Sequence, residues 1–366
     1  MNILLFLPSS QIAYSILSEA IYFVQNGKKS FFLSTSPKGE MHMICQEYGI
    51  PAYSLNINNL NYRTYLSASY ALMRFVLNNN IDIVISNNLQ GNFIAILSRF
   101  LHKKRTVLVR HHTDYIFTEN NKNAKTQLQF INKYGKEFIA ISDRVKTQMI
   151  KEGISPNKIY RMNLGFDFNL FPKTNYLLID NLKKENKSCF NICTIARLIP
   201  LKRHVLLFEA ILILNNRGMD IKLWVIGDGE LMSPLKEMAK YSQLDHAITF
   251  TGYINNPENY LAACDLLVHV SQSEASSHVI REASLVNTPI LVCKDVGDFD
   301  DYIEDEVNGF LIEKDSSPSQ IADKILQLST QKGKLTKTAI ELHKTVLERF
   351  NINETGKKLM NIIEHV

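Results

Sequence analysis

Two glutamates eight residues apart are the first residues in this sequence that suggest chemistry. In the stretch EASSHVIRE, Glu274 stands where the apolar run DLLVHVSQS ends, and Glu282 stands in the second turn of the helix predicted to follow. The unpaired amides at such a helix start form an anion site, and the small residues at 275–277 let a phosphate approach the backbone. Glu282 would then reach a ribose hydroxyl and Glu274 a sugar hydroxyl, although two glutamates alone are more often solvated helix charge.

An arginine and a lysine follow another predicted strand. Arg197 and Lys202 come after FNICTIA, in ARLIPLKRH. A guanidinium supplies a planar fork of donors and an ammonium supplies a point charge, so the pair suits a diphosphate. By itself the pair is equally well explained as surface charge. Two carboxylates beside a diphosphate would repel it unless such cations stood opposite, so the two patterns together favour a ligand site.

Two further motifs carry less information. VIGDGEL, with Gly227, looks superficially like a dinucleotide fingerprint, but its sixth position is Met232 and a lone G-x-G favours a tight turn into a helix. Asp298 and Asp300 spell D-x-D, a spacing that is known from metal-binding sites. They lie late, in an acidic loop, and are interpreted as solvated charge, so no metal is expected.

Composition indicates an ordinary soluble protein of two or three domains. The chain has 366 residues, of which 45% are hydrophobic and 21% charged. No apolar run approaches the ~20 residues that span a bilayer, and the start MNILLFLPSSQ lacks the basic region of a signal peptide. We therefore expect a cytoplasmic protein.

The cysteines agree with that compartment. Cys45, Cys189, Cys193, Cys264 and Cys293 are odd in number, and most of them lie in apolar runs. They are typical of buried reduced thiols. The C-x3-C spacing of the second and third has no matching pair nearby, which argues against zinc.

Charge is distributed unevenly along the chain. Residues 1–170 carry 19 Lys/Arg against 10 Asp/Glu, whereas the remainder carries 22 against 26. A basic first half suits a phosphate-bearing ligand or an anionic membrane face. The excess is too diffuse to indicate nucleic acid binding.

Apolar runs alternate with amphipathic helical patterns throughout, which predicts parallel sheets covered on both faces. The runs in the first half are NILLFLP, KKSFFLST, IDIVISN, TVLVRHH and EFIAISD, and those in the second half are FNICTIAR, KLWVIGDG, AITFTGY, LLVHVSQ, PILVCKDVG and GFLIE. The periodicity is lost in the Asn/Lys-rich stretch around Pro172, which we interpret as a domain boundary. Two Rossmann-like α/β domains are expected, at 1–170 and 171–345, with ligands bound beyond the carboxyl ends of the strands.

At this point the sequence resembles a known family. IARLIPLKRH, VIGDGEL, ITFTGYI and SQSEASSHVIREASLVNTPILVCKDVGDFDDYIEDEVNGFLI are similar, in this order, to the motifs of family 4 retaining glycosyltransferases. The resemblance covers most of residues 100–315. It implies the GT-B fold, in which two Rossmann-like domains face each other across a cleft, with the first binding the acceptor and the second the nucleotide-sugar donor. It also implies that residues 346–366 form a helix that crosses back to the first domain.

The resemblance assigns roles to individual residues. Arg197 and Lys202 fall on the pair that binds the donor diphosphate. Glu274 falls on the glutamate facing the donor sugar, and Glu282 falls on the one facing the ribose. His111 falls on a histidine near the reaction centre, a place that His112 could also take. The remaining donor-binding positions are Ser276, Ser277, His278, Gly227, Tyr253 and Ile254, the last two where the family's backbone meets the nucleobase.

This sequence departs from the family pattern at several positions. Glycines usually follow the first strand, whereas LPSSQIAYS has none, and Ser9, Ser10 and Gln11 would have to present helix amides instead. Arg203 replaces the glycine after the motif lysine. Ala275 and Ser276 replace the usual Gly-Phe, Arg281 precedes the second glutamate, and an acid at 301 replaces a later glutamate. These changes bear on the choice of donor sugar more than on diphosphate binding.

The function expected from these observations is metal-independent sugar transfer. The donor would be a UDP-sugar in preference to a GDP-sugar, with no further cofactor. The acceptor would be a glycan or a polyprenyl-diphosphate-linked saccharide in the synthesis of a bacterial capsule or O-antigen. Lys103, Lys104 and Arg105 raise the question of a peripheral contact with the inner membrane face, but helix C-terminal charge explains them slightly better. A nucleotide-sugar epimerase and a non-catalytic glycan- or nucleotide-binding subunit remain alternatives, and an NAD-dependent dehydrogenase is disfavoured because the glycine fingerprint is missing.

Overall fold

The computed structural model describes residues 1–57, 59–100, 106–111 and 121–366, without the side chain of Tyr62. The chain forms two compact units. The first comprises Met1–Phe171 together with Arg349–Val366, and the second comprises Pro172–Glu348.

The first unit is built on a seven-stranded parallel sheet of order β3-β2-β1-β4-β5-β6-β7. Its strands are β1 (Asn2–Leu7), β2 (Lys29–Ser34), β3 (Ala52–Ser54), β4 (Ile83–Asn87), β5 (Thr106–His111), β6 (Glu137–Ala140) and β7 (Ile159–Arg161). Its helices are α1 (Tyr14–Gln25), α2 (Glu40–Glu47), α3 (Tyr62–Asn78), α4 (Asn88–Arg99), α5 (Lys122–Tyr134) and α6 (Asp143–Lys151). The strand order reverses between β1 and β4, and in open parallel sheets that is where ligands bind.

The end of the chain completes the first unit. The backbone of Phe166 exchanges hydrogen bonds with Phe350 and Ile352, at 2.8 and 3.0 Å. The last helix (Ile352–His365) then packs on α1, where a Cβ on Gly356 would lie 2.7 Å from the ring of Tyr22. Its apolar side chains belong to the same buried core as β1 and α1.

The second unit holds a six-stranded parallel sheet of order β10-β9-β8-β11-β12-β13. Its strands are β8 (Phe190–Ile195), β9 (Ile221–Ile226), β10 (Ile248–Gly252), β11 (Leu266–His269), β12 (Ile290–Cys293) and β13 (Phe310–Ile312). Its helices are α7 (Tyr176–Glu185), α8 (His204–Asn216), α9 (Met232–Tyr241), α10 (Glu258–Ala263), α11 (His278–Leu285), α12 (Pro318–Ser329) and α13 (Lys332–Arg349), whose last residue joins the first unit. The final helix of the chain is therefore α14 (Ile352–His365). Here the strand order reverses between β8 and β11.

The predicted α/β class with two parallel sheets is confirmed, and every strand that the apolar runs predict is present. The short strands β3 and β7 were not predicted, because three residues are too few to show a period. The stretch interpreted as an aperiodic boundary contains α7, whose N-cap Asn175 accepts a hydrogen bond from the amide of Leu178. Within the described ranges, no helix is long and apolar enough to cross a membrane.

Candidate donor site in the second unit

The loops that follow β8, β9 and β10 are joined through their backbones. Gly227 has φ +133°, and a Cβ there would lie 2.0 Å from the carbonyl oxygen of Ala196, so only glycine allows this approach. The amide of Leu198 donates to the carbonyl of Asp228 at 2.9 Å. Arg197 lies between these two contacts with its side chain exposed. Packing alone therefore explains the glycine at 227, and its role in donor binding stays a prediction.

Lys202 ends a single 3₁₀ turn, Pro200–Lys202, and the residue after it is strained. Arg203 has φ +51°, in the left-handed region that glycine adopts without cost. Its guanidinium donates to the carbonyl oxygens of Val270 and Lys314, both at 2.7 Å. These bonds join the loop after β8 to the segments that follow β11 and β13 and offset the strain, which explains how an arginine occupies a position where the resemblance implies a glycine.

Glu274 forms the centre of a small charged cluster. One carboxylate oxygen, Oε1, accepts a hydrogen bond from the ammonium of Lys202 and another from Nε2 of the buried His269, at 2.6 Å for the histidine. Burial alone would raise the pKa of Glu274. The hydrogen bond and charge of His269, followed by those of Lys202, outweigh that effect and lower the pKa to about 2. The carboxylate is thus held ionised, and both contacts are made by Oε1.

A second cluster fixes the turn that carries Glu274. Arg281, which is 0% exposed, pairs with the carboxylate of Asp298 at 2.6 Å and donates to the carbonyl of Ser277 at 2.7 Å. The hydroxyl of Ser276 donates to Asp298 at 2.6 Å and accepts from Arg281 at 2.5 Å. The loop after β12 is thereby tied to the loop after β11. The hydroxyl of Ser276 has its donor engaged, so only its backbone amide is offered to a phosphate.

The interpretation of Asp298 as solvated loop charge was wrong, because Asp298 is 2% exposed and paired. Asp300 is exposed, as expected, and accepts a hydrogen bond from the amide of Asp295 at 2.8 Å. Sequence reasoning also missed His269. Two signals were available in the sequence. His269 is a polar residue inside an otherwise apolar strand, and Arg281 is a charged residue that shares the buried side of α11 with Ser277 and Ser284.

Helix α11 begins at His278, whose side chain is exposed, and Ser277 is its buried N-cap. The hydroxyl of Ser277 makes no capping hydrogen bond, so it does not occupy the amides of the first helical turn. Glu282 is half-buried in the next turn. Burial, and then the negative charge of the nearby Glu258, raise the pKa of Glu282 to about 7 in spite of the positive charge of Arg281.

The nucleobase positions lie at the end of β10. Gly252 closes that strand with φ +72°, and the side chain of Tyr253 that follows is 74% exposed. Ile254 is half-buried. Arg197, Lys202 and Gly227 thus follow β8 and β9, Glu274 and the start of α11 follow β11, and all lie at the carboxyl edge of one sheet. The reversal of strand order between β8 and β11 places the two charged loops beside each other.

The remaining predicted residues belong to the first unit. His111 ends β5 with a fully buried ring stacked on Phe138, and burial lowers its pKa to about 4. Neither ring nitrogen has a hydrogen-bond partner among the residues described. Beside it, the buried Arg110 pairs with the buried Glu19 of α1 at 2.8 Å. The catalytic role of His111 stays a prediction.

Two other groups of residues were named for the first unit in the sequence analysis. His112, Lys103, Lys104 and Arg105 are outside the described residues. Helix α1 begins only at Tyr14, and Ser9, Ser10 and Gln11 precede it. The expectation that these three residues present the amides of a helix start was therefore wrong.

No cluster of three or more His, Cys, Asp or Glu residues suited to a metal ion occurs in the part of the chain that the structure covers. The charged side chains of the candidate donor site at this edge are Arg197, Lys202, Glu274 and Glu282, next to the start of α11.

Comparison with known proteins agrees with this arrangement. The sequence model described as "Glycosyltransferase Family 4" matches residues 15–170, and the one described as "Glycosyl transferases group 1" matches residues 179–344. Together they span nearly the whole chain. The chain belongs to the family 4, group 1 glycosyltransferases. The predicted family is therefore confirmed, and the chain is a glycosyltransferase by class.

Relatives and solved structures agree on the family and the fold. A poly(ribitol-phosphate) α-N-acetylglucosaminyltransferase of Staphylococcus aureus is 26% identical over 194 residues, which cover 53% of this chain and 39% of that protein. The N-acetylgalactosamine-N,N'-diacetylbacillosaminyl-diphospho-undecaprenol 4-α-N-acetylgalactosaminyltransferase of Campylobacter jejuni is 27% identical over 71% of this chain and 70% of its own length. HepE of Anabaena, solved in complex with UDP-glucose, superposes over 100% of both chains with a TM-score of 0.86 at 19% identity. The fold of this glycosyltransferase is therefore GT-B.

Removing one member of the buried ion pair should destabilise the second unit strongly. In Arg281→Met the charge of Asp298 remains buried without its partner, at a cost of ~3–5 kcal/mol. The double variant Arg281→Met/Asp298→Ala should recover most of that loss, because no buried charge remains. Fluorescence of Trp224, the single tryptophan and a buried residue of β9, reports urea unfolding of this unit. Equal stability of the single variant and the wild type would contradict the assignment.

The ionised state of Glu274 should stabilise the fold in a pH-dependent way. Its pKa is lowered from 4.5 to about 2, so its contribution is complete above the ordinary value and is lost as the pH falls towards about 2. The shift corresponds to on the order of 3 kcal/mol. The wild type should therefore lose more stability to acid than Glu274→Gln does, measured by Trp224 fluorescence in urea.

The control for this measurement is Glu209→Gln, which changes an exposed glutamate of α8 in the same unit. This variant should keep the acid sensitivity of the wild type. If Glu274→Gln keeps it as well, the carboxylate is not held ionised by His269 and Lys202.

Proposed function

We propose that this glycosyltransferase is a retaining hexosyltransferase that takes its sugar from a nucleoside diphosphate sugar, with a UDP-sugar favoured over a GDP-sugar. The acceptor is a glycan or a lipid-linked saccharide in the synthesis of a bacterial surface polysaccharide. The observation that carries this proposal is the charged cluster at the carboxyl edge of the second sheet, where Lys202 and His269 hold Glu274 close in sequence to the start of α11.

The donor diphosphate would bind where positive charge converges. Arg197 is exposed and supplies a guanidinium fork for two phosphate oxygens. The first amides of α11 supply hydrogen bonds and the positive end of the helix dipole. Lys202 already contacts Glu274. In the donor complex its ammonium would also contact a phosphate oxygen and so link the carboxylate to the diphosphate.

The two glutamates would recognise the two sugars of the donor. Oε1 of Glu274 is occupied by Lys202 and His269, which leaves Oε2 to accept hydrogen bonds from the transferred sugar. Glu282 lies further along α11 and would accept hydrogen bonds from the ribose, with Tyr253 and Ile254 beside the base. His269 is thus a positioning residue, since it acts through the carboxylate of Glu274.

The reaction we propose needs no protein nucleophile. Arg197, Lys202 and the α11 amides stabilise the charge that develops on the departing diphosphate, as preorganised donors do in other sites. As the family resemblance implies, an oxygen of that diphosphate then removes the proton of the acceptor hydroxyl. The acceptor attacks from the same face, so the anomeric configuration is retained. Arg197 and Lys202 would neutralise the charge of the departing diphosphate without a metal ion or another cofactor.

The acceptor class is proposed from the relatives. The name of the Campylobacter enzyme specifies a saccharide on diphospho-undecaprenol, which is held at a membrane, and the staphylococcal enzyme acts on a poly(ribitol-phosphate). The alternatives of an epimerase and of a non-catalytic subunit are disfavoured, because both of these relatives are transferases by name. A protein acting on such an acceptor would work at the cytoplasmic face of the plasma membrane.

Removing the guanidinium of Arg197 should impair both nucleotide binding and turnover. Thermal unfolding with UDP, GDP or ADP should show stabilisation by one of the three, with and without EDTA, and Arg197→Ala should lose it. Turnover should fall on the order of a hundredfold, since one donor aimed at developing charge contributes ~3–4 kcal/mol.

A matched control for Arg197→Ala is Arg217→Ala, which removes an exposed arginine of the same unit that pairs with Asp323. It should bind nucleotide and turn over normally. Full turnover in Arg197→Ala would refute the role of Arg197. Stabilisation by none of the nucleotides would refute the donor site, and EDTA sensitivity would refute metal independence.

Nucleotide affinity should depend on pH through Glu282. Its pKa is raised to about 7, and ribose hydroxyls donate to the ionised form, so binding should release a proton at neutral pH. Affinity should therefore rise by up to about tenfold per pH unit below about 7 and level off above it. Calorimetry in buffers of different ionisation enthalpy measures the released proton directly.

Two variants isolate the contribution of Glu282 from the titration of the phosphate itself. Glu282→Gln should remove this part of the pH dependence. Glu258→Gln removes a neighbouring charge that raises the pKa of Glu282, so the pH dependence should shift to lower pH. An unchanged profile in both variants would show that Glu282 does not meet the nucleotide.

A further inference from the structure

Three neighbouring helices of the first unit contain no acidic residue. Helix α3 packs against α4, and α4 packs against α5. Their sequences are YRTYLSASYALMRFVLN, NLQGNFIAILSR and KNAKTQLQFINKY, which include cations but neither aspartate nor glutamate. We call this group of helices the acid-free layer. Surface helices ordinarily carry both signs of charge, so a layer with one sign indicates an anionic partner.

The outer face of α3 is apolar as well as basic. Leu66, Tyr70 and Leu77 are 65%, 54% and 50% exposed, and they recur at the spacing of one helix face. Arg74, also exposed, lies between the last two of them. Scattered apolar residues on a surface need no explanation, but a stripe of them along one face of a helix does.

Aromatic residues continue this face at the ends of the next two helices. Phe100 follows α4 and is 51% exposed, and Tyr134 ends α5 and is 38% exposed. Their rings are 5.3 Å apart in edge-to-face contact. Together with Ile96, Arg99 and Lys136 they line a cavity of about 310 Å³. Arg99 donates to the carbonyl of Tyr134 at 2.9 Å, which fixes a cation beside the two rings.

These residues share one edge of the first unit. In a parallel sheet the connecting helices run opposite to the strands, so the ends of α3, α4 and α5 lie at the amino edge of the sheet. The patch formed there consists of Arg74, Leu77, Arg99, Phe100 and Tyr134. It lies away from the carboxyl ends of the strands in its own unit.

We infer that this patch docks on an anionic lipid bilayer. Exposed aromatic and leucine side chains enter the boundary between headgroups and acyl chains, while arginine and lysine neutralise the lipid phosphates. The cavity beside Arg99 and Lys136 provides room for a headgroup phosphate. The inference is independent of the donor site, since every residue that carries it belongs to the first unit.

Charge complementarity favours a bilayer over a protein partner. A protein surface usually mixes both signs of charge, and no helix of the layer offers a carboxylate to pair with its cations. Three carboxylates border the layer: Glu152, beyond α6, accepts a hydrogen bond from Asn132 of α5 at 2.7 Å, Glu137 follows Lys136, and Asp82, in the loop after α3, accepts a hydrogen bond from the amide of Asn2. The charge across the layer itself remains positive.

Co-sedimentation with vesicles tests the proposal on the full chain. Vesicles of phosphatidylcholine alone are compared with vesicles containing an equal amount of phosphatidylglycerol. The wild type should sediment with the anionic vesicles only, and added salt should weaken its binding. Arg74→Glu should lower the partition coefficient by about tenfold or more, because each cation near such a surface contributes ~1 kcal/mol. Leu77→Glu/Phe100→Glu should lower it by a similar factor.

Matched controls exist in the second unit. Leu177 and Tyr241 are 72% and 92% exposed, so Leu177→Glu/Tyr241→Glu makes the same chemical change outside the patch. Lys240→Glu reverses an exposed cation of α9 and is the matched control for Arg74→Glu. These controls should bind vesicles as the wild type does. All variants should keep their thermal stability and their stabilisation by nucleotide, which separates a failure of this proposal from a failure of the donor site.

Three results would overturn the proposal. They are equal binding to both kinds of vesicle, unchanged binding of the patch variants, and equal loss of binding in the controls. If the wild type binds no vesicles but forms dimers that the patch variants lose, the patch is a protein interface.

Discussion

Both units of this chain rest on parallel sheets whose strands are buried on both faces, and this burial dictates where polar chemistry can be placed. A polar side chain inside such a layer needs a partner, because an unpaired buried charge costs several kcal/mol. The polar residues that remain available to a ligand are therefore those that follow the strands. In the second unit the reversal of strand order between β8 and β11 brings the loops with Lys202 and Glu274 together.

Two charged clusters at this edge have different tasks. The pair of Arg281 and Asp298 is withdrawn from water and joins two loops, so it gives the turn its shape. In the cluster of Lys202, His269 and Glu274, part of the surface stays exposed to solvent, so this cluster presents an ionised carboxylate to a ligand. A buried ion pair that fixes a turn helps to hold the partly exposed carboxylate on that turn in place.

Local patterns predicted the fold and the positions of the strand ends well, because burial on both faces leaves long apolar runs in the sequence. They placed Glu274 and Arg197 correctly after strands, since this requires only the order of runs and breaks. They did not predict that Asp298 is buried, since its partner Arg281 is 17 residues away and lies on a helix rather than in the same loop. Pairings of this kind depend on how loops from neighbouring strands meet, which no local period records.

The same limit applies to Arg203. Arg203 replaces a glycine of the family pattern, and its guanidinium joins the loop after β8 to the segments after β11 and β13 by hydrogen bonds to two carbonyls. A side chain that supplies such bonds compensates for a strained backbone. At 203, 276 and 281 the side chains that depart from the family pattern fix these loops through their own hydrogen bonds.

The composition of the first unit also has a consequence for synthesis on the ribosome. Its core takes side chains from α14, which is made after every residue of the second unit. The second unit has its complete sequence as soon as residue 348 has emerged, whereas the first unit must keep part of its apolar surface uncovered until residues 349–366 arrive. Vectorial synthesis therefore allows the second unit to finish folding before the first. Until then the first unit exposes apolar surface that is prone to aggregation, and such surface is what chaperones bind.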